Sequence, residues 1–177
     1  MSFSTAPLVV VMGVSGAGKT TLGPLLARQL NAEFLEGEHL HPARNQERMA
    51  AGIPLTDNDR RDWLLEIAQQ LADATAGRHA LVVSCPALRR ADRDRLRTGA
   101  STLAFVHLTA PAPLLGMRLP SRHTVPDPPL QVQMQILEPP GADERALTLD
   151  AGLPPTELAT QAAAWLTASK PDNGRRK

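Results

Sequence analysis

The 177-residue chain lacks the features that mark several large classes of protein. Its single cysteine, Cys85, cannot form an internal disulfide, and no second thiol is available for a zinc ribbon. Its 19 lysines and arginines are balanced by 18 aspartates and glutamates, so it lacks the basic surplus of a nucleic-acid-binding protein. The longest N-terminal apolar run, Leu8 to Met12, is too short to span a membrane, and it has neither the basic segment nor the cleavage pattern of a signal peptide. We therefore expect a cytoplasmic protein that binds neither nucleic acid nor membrane.

Short β-type runs alternate with helical patterns along the chain, which is typical of an α/β fold with a buried parallel sheet. The β-type runs are Leu8–Met12, Glu33–Leu35, Ala80–Cys85, Thr102–Leu108 and Ala146–Asp150. The helical patterns are Lys19–Leu30, Asp57–Ala74, Ala87–Thr98 and Pro154–Leu166. Thr56 and Asp59 are spaced as a capping box at the start of the second helix. Ten of the 16 prolines lie from Pro111 to Pro155, so we expect a loop-rich segment over Pro111–Gly141.

A phosphate-binding motif, G-x-x-x-x-G-K-[ST], follows the first β-type run. It comprises Gly13, Val14, Ser15, Gly16, Ala17, Gly18, Lys19 and Thr20. Glycines let successive backbone amides point at phosphate oxygens, and the helix that follows adds its positive N-terminal end. In such a loop Lys19 reaches the β- and γ-phosphates, and the hydroxyl of Thr20 is a ligand for Mg²⁺. The motif predicts a nucleoside triphosphate site.

The rest of the sequence indicates which class of P-loop protein this is. The chain has no N-K-x-D motif to read a guanine base, and it is too short for a large ATPase motor, which leaves a small kinase. Glu36 and Glu38 follow the second strand, where α/β sheets bind ligands. One carboxylate can orient Mg²⁺ through water, and the other can accept the proton of an acceptor hydroxyl. A solvated acidic turn and a metal cluster with His39 and His41 are the alternatives.

Several motifs in one order give the chain a resemblance to a known family. They are MGVSGAGKT, FLEGEHLHP, ARNQERMAAGIPLTDNDRRDWL, CPALRRADRDRLR, RLPSRH and LEPPGADER. With these motifs the chain resembles the gluconate kinases, small P-loop kinases related to shikimate and nucleoside monophosphate kinases. The resemblance implies phosphorylation of D-gluconate at its 6-hydroxyl by ATP and Mg²⁺, giving 6-phosphogluconate. It also implies a three-layer α/β/α domain over residues 1–170, with a five-stranded parallel sheet and a mobile lid over about residues 118–135, followed by a polar tail at 171–177. Members of the family are often dimers.

The resemblance also suggests roles for individual residues. The sequence leaves open which carboxylate is the base, and we assign proton transfer to Glu38 and Mg²⁺ to Glu36 with Thr20. The predicted catalytic residues are Lys19, Glu38 and Arg122. The predicted nucleotide contacts beyond the P-loop are Arg118 and Arg145, the latter in a loop expected near the adenine. The predicted gluconate contacts are Glu38, His41, Arg60, Trp63, Arg89 and His123. Alternatives remain for Arg60, a surface helix charge, for Trp63, core packing, and for the arginines of Ala87–Thr98, a solvated helix face.

The chain departs from the family pattern at two places. Glu36 and Glu38 stand where the family has aspartates, which adds one methylene to each side chain. The lid is about two residues shorter and lacks the family's glycine, phenylalanine and serine, while additional prolines stiffen it. These departures motivate two alternatives: a kinase for another sugar acid or polyol, and a regulatory nucleotide-binding protein with little catalysis.

Overall fold

Five parallel strands form one sheet in a computed structural model, which describes residues 6–119 and 128–168. The strands are β1 (Leu8–Met12), β2 (Glu33–Glu36), β3 (Leu81–Ser84), β4 (Ala104–Thr109) and β5 (Ala146–Asp150). Their spatial order is β2-β3-β1-β4-β5, and every neighbouring pair is parallel. The α/β fold with a five-stranded parallel sheet is therefore confirmed.

Seven α-helices connect or flank the strands within the described residues. They are α1 (Lys19–Leu30), α2 (Ala43–Ala50), α3 (Asp57–Gly77), α4 (Arg90–Arg97), α5 (Ala112–Arg118), α6 (Leu130–Ile136) and α7 (Pro155–Ala168). A 3-10 helix, Gly37–Leu40, follows β2. The predicted capping box is present, because Thr56 Oγ1 accepts from the Asp59 N–H at 3.1 Å and the Asp59 carboxylate accepts from the Thr56 N–H at 2.9 Å.

The sheet is covered on both faces, as the alternation of side chains along β1 shows. Val9 and Val11 face a buried cluster that includes residues of α1 and α7. Val10 and Met12 face a second cluster, which includes residues of α3 and α4. Each face of a central parallel strand is thus apolar, which explains why β1 is a continuous apolar run rather than an alternating one. The three-layer α/β/α arrangement follows directly.

The structure corrects the expectation of a loop-rich segment over Pro111–Gly141, because α5 and α6 lie within it. Each of these helices has only seven residues and begins directly after a proline, Pro111 or Pro129. A proline fits at the start of a helix, where its missing N–H would have no intrahelical partner. The prolines therefore mark helix starts here, and helices this short carry too little periodicity to be detected in the sequence. Residues 120–127 of the predicted lid lie outside the described residues.

The carboxyl ends of the strands lie at one edge of the sheet. The segments that contain the candidate functional residues follow these ends. The P-loop follows β1, and the acidic 3-10 helix follows β2. Ligands of α/β proteins bind at this edge. Within residues 6–119 and 128–168, none of the helices combines the length and apolarity needed to cross a bilayer.

Candidate active site

Residues 13–20 form a tight loop between β1 and α1 whose shape depends on glycine. The φ angles are 145° at Gly13, 84° at Gly16 and 101° at Gly18, a region that other residues rarely adopt. At Gly13 a Cβ atom would also lie 2.7 Å from the carbonyl oxygen of Leu108, so a side chain cannot be accommodated there. Backbone geometry thus favours glycine at all three positions, and close packing on β4 also requires it at Gly13.

Several backbone amides of this loop are left for a ligand. The Ala17 N–H donates to the Val14 carbonyl at 3.2 Å and stays inside the loop. Among the described residues, no acceptor pairs with the amides of Gly16, Gly18 or Thr20. These three amides lie at or just before the N-terminus of α1, where the helix dipole favours negative charge. The loop is therefore built to bind an anion such as a phosphate chain.

Lys19 is held over the same loop. Its side chain is buried, and Nζ donates to the carbonyl oxygens of Gly13 at 2.9 Å and Val14 at 3.1 Å. The ammonium group thus lies against the loop that the free amides line. A phosphate chain there would meet a fixed positive charge with short, charge-assisted hydrogen bonds.

Glu36 stands at the carboxyl end of β2, paired in register with Ser84 of β3. The Ser84 hydroxyl donates to Glu36 Oε1 and accepts from the Gly37 N–H at 3.1 Å. The second carboxylate oxygen, Oε2, is buried and has no hydrogen-bond donor among the described residues. A Cβ atom at Gly37 would lie 2.0 Å from the Ser84 carbonyl oxygen, so this glycine lets the chain turn directly against β3.

Cys85, the residue after Ser84, lies where the segments that carry the P-loop and Glu36 meet the end of β3. Burial raises the pKa of its thiol to about 12. Its backbone N–H donates to the Val11 carbonyl at 3.0 Å, and the carbonyl of the next residue, Pro86, accepts from the Gly13 N–H at 3.2 Å. Because Glu36 pairs in register with Ser84, the start of the P-loop and Glu36 flank the same strand end at this edge of the sheet.

The oxygen donors at this edge fit a magnesium ion. Mg²⁺ prefers oxygen ligands and keeps several waters, so one or two protein oxygens suffice when phosphates supply others. The unpartnered Glu36 Oε2 and the exposed Thr20 hydroxyl are groups of this kind. No group of three or more His, Cys, Asp or Glu side chains suited to a metal occurs in the described part of the chain, so the alternative of a histidine-containing metal cluster at His39 and His41 finds no support there.

Glu38 and His41 follow Glu36 on and after the 3-10 helix. Glu38 is exposed, and its carboxylate has no hydrogen-bond or ion-pair partner among the described residues. His41 is buried and stacks on the Trp63 ring, with the ring centroids 4.1 Å apart and the planes 16° from parallel. The Trp63 indole N–H donates to the Gly37 carbonyl at 2.7 Å. Trp63 thus packs in the core and also fixes the backbone between the two glutamates.

Asn45 is a member of this group that sequence analysis missed. It is fully buried on α2, and its Nδ2 donates to the Asp59 carbonyl at 2.9 Å and lies 3.3 Å from His41 Nδ1. A carbonyl oxygen can only accept a hydrogen bond, so the Asn45 atom next to it is the amide nitrogen. With this nitrogen as the donor, His41 Nδ1 is the acceptor in the neutral tautomer protonated at Nε2. The available signal was the position of Asn45 one helical turn after His41, on a helix too polar and too short to be detected.

Arg60 and Arg89 are placed differently from His41 and Trp63. The Arg60 side chain is 33% exposed, and Nη1 lies 3.4 Å from an Asp57 carboxylate oxygen one turn earlier. Arg89 is exposed at the start of α4, where its backbone N–H donates to Asp92 at 3.2 Å. Both guanidinium groups can therefore reach solvent, and neither belongs to the buried His41–Trp63 group.

Arg118, at the end of α5, lies beside the P-loop. Its Nη1 donates to the Gly16 carbonyl at 3.4 Å and its Nη2 to the Ala151 carbonyl, after β5, at 2.8 Å. The predicted residues Arg122 and His123 lie outside the described residues.

Arg145 is not brought together with the P-loop. Its Nη1 donates to the Thr102 carbonyl at 2.7 Å, and its own carbonyl accepts from the Phe105 N–H at 2.9 Å. These contacts lie at the amino ends of β4 and β5, about 13 Å along the strands from Gly13. Burial lowers the pKa of the Arg145 guanidinium. Arg145 itself therefore lies at the amino edge of the sheet and not beside the P-loop, because it immediately precedes a parallel strand.

The residues before Arg145 bind α4. Glu144 and Arg93 form a buried bidentate ion pair, with Nε–Oε2 at 2.7 Å and Nη2–Oε1 at 2.8 Å, and Arg97 contacts the same carboxylate. Asp143 makes a second bidentate pair, with Arg90, at the surface. Three of the four arginines of α4, Arg90, Arg93 and Arg97, thus bind the loop before β5. The solvated helix expected as an alternative applies only to its outer face.

Comparisons with known proteins agree with this geometry. A family model described as an AAA domain matches residues 8–139. The chain is similar to the gluconokinase of Gluconobacter oxydans, with 43% identity over 138 residues that cover 77% of this chain and 78% of that protein. It is similar in structure to a sugar kinase from Janibacter (TM-score 0.84, 38% identity, 93% of this chain and 96% of that one). It is also similar to a gluconokinase from Sinorhizobium meliloti (TM-score 0.80, 39% identity, 94% of each chain).

Proposed function

The chain belongs to the gluconokinase family, and from that premise we propose that it transfers the γ-phosphoryl group of ATP to the 6-hydroxyl of D-gluconate. The observation that supports this most is that the P-loop and Glu36 flank the end of β3, where the Gly13 N–H donates to the Pro86 carbonyl and Glu36 pairs with Ser84. A phosphate-binding loop beside an acidic turn is what a small kinase needs, since catalysis of phosphoryl transfer is largely positioning and charge stabilisation.

The P-loop would hold the nucleotide. The amides of Gly16, Gly18 and Thr20 are available for phosphate oxygens, and the N-terminal end of α1 adds a favourable dipole. Lys19 would exchange its two carbonyl acceptors for β- and γ-phosphate oxygens, which are stronger partners because they are charged. Arg118 lies beside Gly16 and would neutralise further charge. Arg122 remains the predicted partner of the transferring phosphoryl group.

Glu36 and Thr20 would hold Mg²⁺ together with the phosphates and water. When bound, Mg²⁺ neutralises the negative charge that builds up on the β- and γ-phosphate oxygens. The Ser84 hydroxyl keeps the Glu36 carboxylate in place by its hydrogen bond to Oε1, which leaves Oε2 for the ion.

The acceptor would lie over the 3-10 helix and the start of α3. Glu38 is exposed and uncommitted among the described residues, as a base that must reach a substrate hydroxyl needs to be. His41, stacked on Trp63 directly after the 3-10 helix, is the proposed partner of a gluconate hydroxyl. Arg60 is the proposed partner of the gluconate carboxylate, and Arg89 and His123 remain predicted contacts. Mg-ATP and gluconate are thus the proposed ligands of one domain over residues 1–170, and the cytoplasm is the proposed compartment.

A coupled assay of ADP release, run over a panel of sugar acids and polyols, tests this proposal. We expect turnover with D-gluconate well above that with any other acceptor, and none with Lys19→Met. A higher kcat/KM for a different sugar acid would show that the altered lid and glutamates have changed the substrate. ATP binding without turnover on any acceptor would favour a regulatory nucleotide-binding protein instead.

A further inference from the structure

A side chain from outside the P-loop holds the middle of that loop. Gln133 lies on α6 and is 3% exposed. Its Oε1 accepts from the Ser15 N–H at 2.8 Å, and its Nε2 donates to Ser15 Oγ at 2.9 Å and to the Pro128 carbonyl at 2.7 Å. One carboxamide thus binds both the backbone and the side chain of Ser15.

The next residue of the loop is held from a second helix. Arg118 of α5 donates to the Gly16 carbonyl, and a Cβ atom at Gly16 would lie 3.2 Å from the Leu115 carbonyl oxygen. Two consecutive P-loop residues, Ser15 and Gly16, are therefore fixed by the two helices that flank the undescribed segment 120–127.

Gln133 is the most deeply buried residue of α6, although it is polar. Of the seven residues of this helix, Gln133 is the only fully buried one. Leu130 and Ile136, at the two ends of the helix, are half-buried against the core, and Gln131, Val132, Met134 and Gln135 are exposed. The two apolar ends therefore hold α6 on the core, and the three hydrogen bonds of the Gln133 carboxamide join its middle to the P-loop.

The contact also decides which amides of the P-loop face a ligand. Ser15 N–H is satisfied by Gln133, whereas the amides of Gly16, Gly18 and Thr20 have no acceptor among the described residues. The glycines on both sides of Ser15 give the loop wide conformational freedom, and freedom that is lost on binding weakens affinity.

We propose that Gln133 is a positioning residue for nucleotide binding, which holds Ser15 so that the unpaired amides of the loop, those of Gly16, Gly18 and Thr20 among them, converge on the phosphate chain before ATP arrives. This inference rests on the proposed use of the P-loop as the ATP site. It predicts that Gln133 keeps its contact with Ser15 when the nucleotide is bound, and that its loss weakens ATP binding while leaving gluconate binding unchanged.

The test compares Gln133→Met, which has similar volume and no hydrogen-bonding groups, with Gln135→Met on the exposed face of the same helix. Calorimetric titration with Mg²⁺ and the non-hydrolysable analogue AMP-PNP gives Kd, and the coupled assay gives KM for ATP and for gluconate. We expect Kd and the KM for ATP to rise about tenfold in Gln133→Met, the scale expected when a donor loses its partner, with the gluconate KM unchanged. Gln135→Met should match the wild type.

A second variant covers the case in which Gln133→Met does not fold. Ser15→Ala keeps the backbone N–H and removes only the hydroxyl that Gln133 contacts, so we expect a smaller rise in Kd for AMP-PNP. An unchanged or lowered Kd in Gln133→Met, or in Ser15→Ala if that variant alone folds, would overturn the inference. If the wild-type chain itself bound no AMP-PNP, the proposed function would fail instead.

Discussion

Replacement of Glu144 by glutamine tests whether the loop before β5 stabilises the fold or serves the nucleotide. Glu144 and Arg93 each have side chains that are 1% exposed, and they form two hydrogen bonds of 2.7 and 2.8 Å. Glu144→Gln keeps the size and removes the charge. Arg93 is then left as a buried cation without a counter-ion, because its other contacts are carbonyl oxygens of Ala87 and Leu88.

Two independent estimates give the loss of unfolding free energy expected for Glu144→Gln. Removing one partner of a buried ion pair costs about 3–5 kcal/mol in the free energy of unfolding. The ion pair with Arg93 lowers the pKa of Glu144 from 4.5 to about 2, and a shift of this size is worth about 3 kcal/mol of stability at neutral pH. For a chain of this length such a loss lowers Tm by roughly 6–20 °C.

Urea denaturation followed by circular dichroism measures this loss, and Asp143→Asn is the matched control. Asp143 also makes a bidentate pair, with Arg90, but their side chains are 63% and 48% exposed. Exposed ion pairs contribute little, so the control should unfold close to the wild type. Because the pKa of Glu144 is lowered on folding, its contribution is complete above about pH 4.5 and is lost as the pH falls toward 2. The difference between wild type and Glu144→Gln should therefore narrow across that window.

The reasoning is refuted if Glu144→Gln and Asp143→Asn unfold at the same urea concentration at pH 7. Below the unfolding transition we also expect the KM for ATP to be unchanged in Glu144→Gln, since the contacts of Glu144 in the described part of the chain are with Gly141, Arg93 and Arg97 and not with residues 13–20. A large rise in the KM for ATP in a stably folded variant would instead support a role for this loop in nucleotide binding.

Two further predictions concern the acceptor side. Glu38→Gln should lower kcat by about 10²–10⁴-fold in the coupled assay, because it removes the proposed base. The KM for ATP should change little, since the P-loop is intact. An unchanged kcat would exclude Glu38 from proton transfer. Arg60→Met should raise the KM for gluconate about tenfold or more, because a charged hydrogen bond to the substrate carboxylate is lost, whereas the exposed neighbour Arg61→Met should behave as the wild type; equal KM values in the two variants would remove Arg60 from the gluconate site.

The sequence predicted the central sheet well because its signals are local. The three central strands, β1, β3 and β4, are short and largely apolar runs, and the P-loop is a contiguous motif whose glycines have positive φ angles. The placement of the P-loop and of Glu36 at the same edge of the sheet follows from the rule that parallel strands carry ligands at their carboxyl ends. These features could therefore be placed without coordinates.

The features that escaped prediction depend on contacts between distant segments. Gln133 and Ser15 are 118 positions apart, and nothing in the helix around Gln133 marks it as buried. The location of Arg145 could not be predicted for a related reason. A motif that is typical of a family does not reveal whether its residues bind a ligand or stabilise the fold. Here the two residues before Arg145 form ion pairs with α4.

The hydrogen bond from Ser84 explains how a glutamate can occupy position 36, where the family has an aspartate. A glutamate has one more rotatable bond than an aspartate, so its carboxylate is harder to hold in one place. At Glu36 that freedom is removed, because the Ser84 hydroxyl donates to Oε1 while its own oxygen accepts from the Gly37 N–H. Glu38 has no such restraint among the described residues. The extra methylene thus fits a fixed role for Glu36 toward a metal ion and a mobile one for Glu38 toward a hydroxyl, so the departure from aspartate is compatible with catalysis at both positions.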